Sequence, residues 1–123
     1  MKHLFLIFIG GGFGSVLRYA IAKALNQSVS SFPFGTLLVN VLGSFIIGLL
    51  MSYFAKNELI SENYSSLLAI GFCGGFTTFS SFAYENQILL KSGDFTSFAL
   101  YSIGSIVLGF LAVFAGMYCV KFI

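Results

Sequence analysis

The chain has 123 residues, of which 58% are hydrophobic and 8% are charged, and its formal net charge is +2. About a quarter of the residues in soluble domains are charged, so this composition excludes a soluble globular protein and predicts an integral membrane protein. No basic patch suits nucleic acid and no nucleophile lies at the depth of a base, so neither nucleic-acid binding nor an enzyme is expected.

Four apolar segments are long enough to cross a bilayer, and little chain lies between them. Spanning a hydrocarbon core of about 30 Å takes about 20 helical residues. Connections this short make neighbouring segments antiparallel, so residues 1–123 are expected to form a single all-α transmembrane domain of four helices. The segments are Leu4–Leu25, Phe34–Ala55, Ser66–Leu90 and Phe98–Val120.

The first segment combines close-packing residues with an arginine well inside the span. Gly10 and Gly14, four residues apart, offer a face on which a second helix can pack, within one subunit or between two. Arg18 is the base that lies deepest inside a predicted span, since Lys23 is only two residues from the end of this segment. An ionisable group in a span is by default a functional-site candidate. Arg18 lies close enough to its helix end to reach the interface, however, and this favours a structural or entrance role.

The second segment carries one amide in apolar surroundings. Asn40 is flanked by Val39 and Val41, and a polar side chain among apolar groups needs hydrogen-bond partners. Two interpretations are open. The amide either makes a structural hydrogen bond to another helix, worth about 1 kcal/mol, or directs its donors into a pore, and the residue alone favours the first.

The third segment concentrates glycines and hydroxyl residues at its midpoint, where Gly74, Gly75 and Thr77 adjoin Thr78. A helix interrupted there frees backbone carbonyls at a depth where irregular backbone survives only if it is buried in protein or lines a polar path. We therefore predict a break near the bilayer midplane. Facing breaks in two antiparallel copies would bring together carbonyl oxygens that suit Na⁺. In the alternative, the glycines only admit a neighbouring helix and the threonines bond to their own turn.

Aromatic and acidic side chains follow the predicted break. Phe79 and Phe82 are three residues apart and share a helix face, where their positive ring edges could face an anion. In a chain with 16 phenylalanines, lipid-facing filler is the alternative. Glu85 is the only acid inside a predicted span. Like Arg18, it lies near enough to a helix end for a structural or entrance role.

The fourth segment carries a stripe of hydroxyl groups. Ser97, Tyr101 and Ser105 recur every four residues and therefore lie on one side of the helix. Such a stripe can pass an anion along, or its serines can simply bond to their own helix carbonyls.

Positive charge is nearly equal on the two sides of the membrane. An excess of Lys and Arg in cytoplasmic loops normally fixes orientation, so the sequence leaves open a weakly biased single topology and insertion both ways. Oppositely oriented copies could pair about a two-fold axis in the membrane plane. Four spans place both termini and the middle loop on one side of the membrane, and the cations on that side are Lys2, Lys56 and Lys121. The cations on the other side are Lys23, Lys91 and, if its side chain snorkels outward, Arg18.

Three motifs, in order along essentially the whole chain, closely resemble those of the Fluc (CrcB) fluoride channels. The third is highly specific, whereas the first two would be weak alone. Family members often have threonine where this chain has Ser81, which keeps the hydroxyl. The motifs are Gly10-Gly11-x-x-Gly14-x-x-x-Arg18-Tyr19, then Gly35-Thr36-Leu37-x-Val39-Asn40-x-x-Gly43-Ser44-Phe45-x-x-Gly48, then the run 71–82, GFCGGFTTFSSF.

The resemblance implies a dual-topology, antiparallel homodimer in the cell inner membrane that exports fluoride passively through two pores and holds a structural Na⁺ at its centre. It implies that Asn40 is a pore-lining donor and that the ring edges of Phe79 and Phe82 line the ion path. It also implies that the backbone carbonyls of Gly74 and Thr77 bind the Na⁺.

Other hydroxyl residues complete the expected path. On the fourth helix Ser102 and Ser105 both neighbour the family's polar position, and the four-residue spacing favours Ser105. Thr78, Ser81 and Tyr101 are expected to supply further hydroxyl groups. Arg18 and Glu85 are expected to be vestibule or structural residues.

Two other functions are kept as alternatives. A small dual-topology multidrug exporter coupled to protons would need an embedded acid, and Glu85 would have to serve because the first segment has none. A non-transporting assembly subunit would use Asn40 and the glycines for packing alone. Fluoride is small and strongly hydrated, and a selective path must replace its water while binding it weakly; neutral amide, hydroxyl and ring-edge donors therefore favour the channel.

Overall fold

Helices account for the apolar segments in the computed structural model, which describes residues 1–28, 31–58 and 60–123. Within these ranges four helices are long and apolar enough to cross a membrane, and this confirms the predicted all-α membrane protein. The predicted connections 26–33 and 56–65 lie partly outside the described residues. The helices are α1 (Lys2–Leu25), α2 (Phe34–Lys56), a third span made of α3 (62–76) and α4 (Phe79–Ser92), and α5 (Phe95–Cys119), which ends in the 3₁₀ turn Val120–Phe122.

The last two spans extend past their apolar segments because polar residues and glycine cap them. Asp94 Oδ1 accepts the Ser97 backbone N–H at 3.1 Å, so α5 begins at Phe95 rather than at Phe98. Ser97, through its side chain and its backbone, holds the pKa of the Asp94 carboxyl below its usual range. Gly93, with φ of 79°, ends α4 in the left-handed conformation that glycine favours. The connection is therefore 93–94, shorter than the predicted 91–97.

Glycines let α1 and α3 pack with their backbones in contact. A Cβ on Gly10 would collide with the carbonyl oxygen of Leu67, and one on Gly14 would collide with that of Phe72. Helices α2 and α5 also meet at glycine, since a Cβ on Gly48 would collide with the α5 backbone. Of the two interpretations left open for these small residues, packing within one subunit is the one that applies here.

Most of α3 has the wider turn of a π-helix, over Ser65–Cys73. π-helical segments are rare in proteins, and those that occur are often found at functional sites. The segment returns to α-helical geometry over Gly74–Phe76. This departure from the ordinary helical period lies directly before the glycine and threonine run.

Helical conformation stops at Phe76 and resumes at Phe79. Thr77 (φ −88°, ψ 156°) and Thr78 (φ −150°, ψ 116°) both have extended backbone. Thr78 is the N-cap of α4, and its hydroxyl accepts the Ser81 backbone N–H at 3.2 Å. The two residues thus divide the third span into α3 and α4.

Candidate functional site

A cavity of about 460 Å³ lies beside the extended residues 77–78. It is open on one side and is walled by α2, the π-helical part of α3, the start of α4 and the middle of α5. Many of the residues that the sequence singled out share it. Its lining consists of Asn40, Gly43, Ser44, Ile47, Ala69, Cys73, Gly74, Thr77, Thr78, Phe79, Phe82, Ser105 and Ile106.

Asn40 holds the extended backbone in place. Its Oδ1 accepts the Thr78 N–H at 2.7 Å, and its Nδ2 donates to the Thr78 carbonyl oxygen at 3.1 Å. This reciprocal pair replaces hydrogen bonds that a continuous helix would make, and it fixes which end of the amide is oxygen. The amide therefore makes the structural interhelical hydrogen bonds considered above, and the same side chain also lines the cavity.

The interruption diverts donors away from two carbonyls. In a continuous helix the Thr78 N–H would bond to the Gly74 carbonyl and the Ser81 N–H to the Thr77 carbonyl. These two N–H groups donate instead to the Asn40 amide and to the Thr78 hydroxyl. Gly74 is exposed, and a Cβ on it would find no atom within 4 Å. The Gly74 and Thr77 carbonyls thus lose their helical donors beside a cavity that both residues line.

The neighbouring residues fit the alternative expectation for this run. A Cβ on Gly75 would collide with the Gly11 carbonyl oxygen, so Gly75 admits α1. The Thr77 hydroxyl donates to the Cys73 carbonyl of its own turn at 2.8 Å. Gly75 and Thr77 therefore fit the expectation of helix packing and bonding within their own turn. Gly74 is open and fits the expectation of a site.

Arg18 reaches the end of α3 rather than the cavity lining. Its Nε donates to the Gly75 carbonyl oxygen at 3.0 Å. In a continuous helix that oxygen would accept the Phe79 N–H. A charge-assisted hydrogen bond therefore replaces one that the interruption removes, and this is a structural position for Arg18.

Three aromatic rings form a row from the cavity into the bundle. The Phe79 and Phe82 centroids are 5.8 Å apart, and the Phe82 and Tyr101 rings meet edge to face at 5.1 Å. Phe79 is 78% exposed whereas Tyr101 is fully buried. The row therefore begins on the open surface of the subunit and ends in its core.

The Glu85 carboxylate is held by two hydroxyl groups from other helices. Thr36 Oγ1 on α2 donates to Oε1 at 2.7 Å, and the Tyr101 hydroxyl on α5 donates to Oε2 at 2.9 Å. Both donors are buried, with Thr36 at 2% and Tyr101 at 0% exposure. Glu85 lies outside the cavity lining, and Tyr101, which bonds to it, also contacts the Phe82 ring that lines the cavity.

The two serines considered for α5 have different surroundings. Ser102 donates to Asn86 Oδ1 at 2.8 Å. Ser105 lines the cavity, and its Oγ is buried without a hydrogen-bond partner in the described part of the chain. A buried hydroxyl without a partner is costly unless something else bonds to it. Ser81, at the first turn of α4, lies outside the lining, and its N–H bonds to Thr78.

Sequence reasoning did not single out several polar residues that the structure connects to this site. Thr36 bonds to Glu85, Asn86 accepts from Ser102, and Asn26 bonds to Thr36. Asn86 was detectable as an amide beside Glu85 in an apolar span. Asn26 and Thr36 lie at helix ends, where polar residues are ordinary, and only their partners distinguish them.

Comparison with known proteins places these features in a family. Residues 5–117 match the family model described as CrcB-like protein, Camphor Resistance (CrcB). A protein named fluoride-specific ion channel FluC from Phocaeicola vulgatus is 48% identical over 96% of this chain and 98% of its own length. Proteins of the same name from Gloeothece citriformis (46% identical, 98% of each chain) and Chlorobium chlorochromatii (44%, 94% of this chain and 89% of the relative) are also similar.

Proposed function

The chain belongs to the CrcB-like family, and on that premise we propose that it is a fluoride-specific ion channel. It is a multi-pass membrane protein and a transporter, not an enzyme; in a bacterium its location is the inner membrane. The observation that carries the proposal is the cavity beside residues 77–78, where an amide, an unpartnered hydroxyl and two aromatic rings meet.

The proposed path uses neutral donors along this cavity. Asn40 and Ser105 contribute an amide and a hydroxyl, and Phe79 and Phe82 contribute ring edges with partial positive charge. Thr78, Ser81 and Tyr101 extend the row of hydroxyl groups. Fluoride gives up much of its water on entering, and neutral donors replace that water without the deep well that a lysine or arginine would create.

The proposed channel is an antiparallel homodimer whose two copies insert with opposite orientation. Three features support this assembly: the even distribution of Lys and Arg, the exposed Phe79 ring and the open side of the cavity. In such a dimer a second copy covers the open side and supplies the opposite wall of each pore. Passive export of fluoride from the cytoplasm then relieves its toxicity.

The proposal also includes a third span broken near the bilayer midplane and a structural Na⁺ at the dimer centre. The extended Thr77 and Thr78, which lie near the middle of the span, support the break. The Gly74 and Thr77 carbonyls fit Na⁺, because they are neutral hard oxygens whose helical donors are diverted. A bound Na⁺ would supply positive charge between these dipoles, and the open space at Gly74 leaves room for the same residues of a second copy.

Fluoride efflux from liposomes that contain the purified protein tests the function directly. We expect passive efflux, measured with a fluoride-selective electrode, that does not depend on a pH gradient. Retained fluoride in liposomes with folded, dimeric protein would refute the channel. Efflux of aromatic cations driven by a pH gradient would favour the exporter, and flux of neither kind would favour an assembly subunit.

A further inference from the structure

A chain of hydrogen bonds leads from the end of α1 to the Glu85 carboxylate. It begins at Asn26, the residue after Leu25, and passes through Thr36 in the first turn of α2. Tyr101 reaches the same carboxylate from the other side. Asn26 is half-buried, and it is the outermost member of this chain.

The backbone of α2 fixes the orientation of the Asn26 amide. Pro33 is the N-cap of α2 and offers no side-chain oxygen to the first turn. Asn26 Oδ1 accepts the Gly35 N–H at 2.8 Å, so an asparagine nine positions earlier in sequence caps the helix. Because Gly35 N–H can only donate, the end of the amide that faces it must be the oxygen, and the other end must be Nδ2.

The amide in turn fixes the direction of the Thr36 hydroxyl. Asn26 Nδ2 donates to Thr36 Oγ1 at 3.3 Å. A hydroxyl has one hydrogen, and with an amide donor on one side that hydrogen points to Glu85 Oε1, 2.7 Å away. Each hydrogen bond of the chain therefore has one direction: Asn26 donates to Thr36, and Thr36 donates to the Glu85 carboxylate.

We propose that Asn26 is a positioning residue of the ion path, because it directs the Thr36 hydroxyl to Glu85 and so holds the carboxylate against Tyr101. This inference rests on the proposed fluoride channel. The Tyr101 ring meets the edge of Phe82, which lines the cavity. If the Thr36 hydroxyl does not point to Glu85, the positions of Glu85 and Tyr101 change, and the position of the Phe82 ring in the proposed path changes with them.

Asn26→Asp separates capping from positioning. The aspartate keeps an oxygen for the Gly35 N–H, and its charge is favourable at the N-terminus of α2 and unfavourable at the C-terminus of α1. These two effects oppose each other, so dimer yield and melting temperature should stay close to wild-type values. The oxygen that replaces Nδ2 cannot donate to Thr36, whose single hydrogen then has two competing acceptors. Fluoride efflux per dimer should fall at least about fivefold, which is the ratio corresponding to one ordinary hydrogen bond.

Asn57→Asp is the matched control. Asn57 is the C-cap of α2, as Asn26 is the C-cap of α1, and its Nδ2 donates to the Tyr53 carbonyl at 3.0 Å. The substitution makes the same change of charge outside the hydrogen-bond chain, so flux should match wild type. Equal flux in the two variants and wild type would overturn the positioning role, as would a fall in Asn26→Asp that is matched by lost stability.

A second substitution tests whether Asn26 acts through Thr36. Thr36→Val removes the hydroxyl at similar volume, so adding Asn26→Asp to it should cause no further loss of flux. Losses that multiply in the double variant would contradict the inference. If Thr36→Val does not assemble, Thr36→Ser keeps the hydroxyl, and there Asn26→Asp must still lower flux. Wild-type protein that does not conduct fluoride would instead refute the proposed function.

Discussion

The Asn40 side chain has two roles. Its amide makes two hydrogen bonds to the Thr78 backbone and also lines the cavity. The first task stabilises an extended segment that has no helical partners of its own, and the second leaves the amide at the wall of the proposed path. Substitutions at Asn40 therefore have to be judged by stability and by transport together.

Asn40→Asp should impair both. The new carboxylate oxygen would face the Thr78 carbonyl in place of a donor, which should lower stability by about 1–3 kcal/mol. If ionised, the carboxylate also repels fluoride. We expect efflux to fall at least about tenfold, the ratio corresponding to about 1.4 kcal/mol. Thermal unfolding in detergent and liposome efflux on the same preparation check the two effects, and normal efflux would remove Asn40 from the path.

Phe79→Ile and Phe82→Ile should separate transport from assembly. Isoleucine keeps the apolar surface but lacks the positive ring edge. Edge contacts between aromatic rings are worth about 0.5–1.5 kcal/mol, and a loss of this order for the ion predicts that efflux drops up to about tenfold per ring. Phe79→Ile should leave stability unchanged since the ring is exposed, whereas Phe82→Ile also loses the Tyr101 contact. Undiminished efflux in both variants, with any effect confined to expression, would identify the rings as lipid-facing.

The two halves of the third span are held in position by different neighbouring helices. α3 is fixed against α1 by glycine contacts and by Arg18, which bonds to the Gly75 carbonyl. α4 begins where Asn40 on α2 holds Thr78. Two adjacent glycines consequently have different surroundings, and this gives an element-scale test.

Gly75→Val should disrupt folding, whereas Gly74→Val should disrupt only assembly. A side chain at Gly75 meets the α1 backbone, and such overpacking costs about 1–3 kcal/mol or more. At Gly74 the space within the subunit is open, so helix content should persist while dimer yield and dependence on Na⁺ change. Circular dichroism and dimer fraction in detergent distinguish the two. A Gly74→Val dimer that forms and conducts normally would count against the cation site.

The sequence could indicate much of this element and little of its fine geometry. Asn40 and Thr78 were detectable because polar residues are costly in apolar spans, Phe79 was detectable by its spacing from Phe82 after the predicted break, and all three line the cavity. The π-helix Ser65–Cys73 was not detectable, because apolar residues all round carry no period. Asn26 was missed, and Thr36 was noted only as part of a motif, because their significance lies in contacts between residues far apart in sequence.

The whole subunit presents a large apolar surface with an open cavity in it. Side chains such as Phe8 and Phe110 are well exposed, as expected of a small bundle whose solvent is lipid. The charges at the two ends of the bundle are nearly balanced. The orientation of the whole molecule is therefore sensitive to small changes in its loops.

Reporter fusions at the C-terminus should find it on both sides of the membrane. Two or three lysines added to one loop should fix a single orientation, because the Lys and Arg bias sets topology. Efflux should then fall unless a copy locked in the opposite orientation is expressed with it. A wild-type C-terminus found on one side alone would refute dual insertion, and full efflux from a locked single orientation would refute the antiparallel pore.

The hydrogen bonds between Asn40 and Thr78 also carry a consequence for biogenesis. They join residues 38 positions apart, so Asn40 is synthesised well before the segment whose extended backbone it holds. We expect the second span to be in the bilayer by the time the third leaves the translocon. A peptide of residues 62–92 alone, in micelles, should therefore be helical across Thr77 and Thr78, with helical backbone chemical shifts at both residues. Adding a peptide of residues 34–56 should move these shifts to the extended values that both residues have in the folded subunit, whereas the Asn40→Val version of that peptide should not.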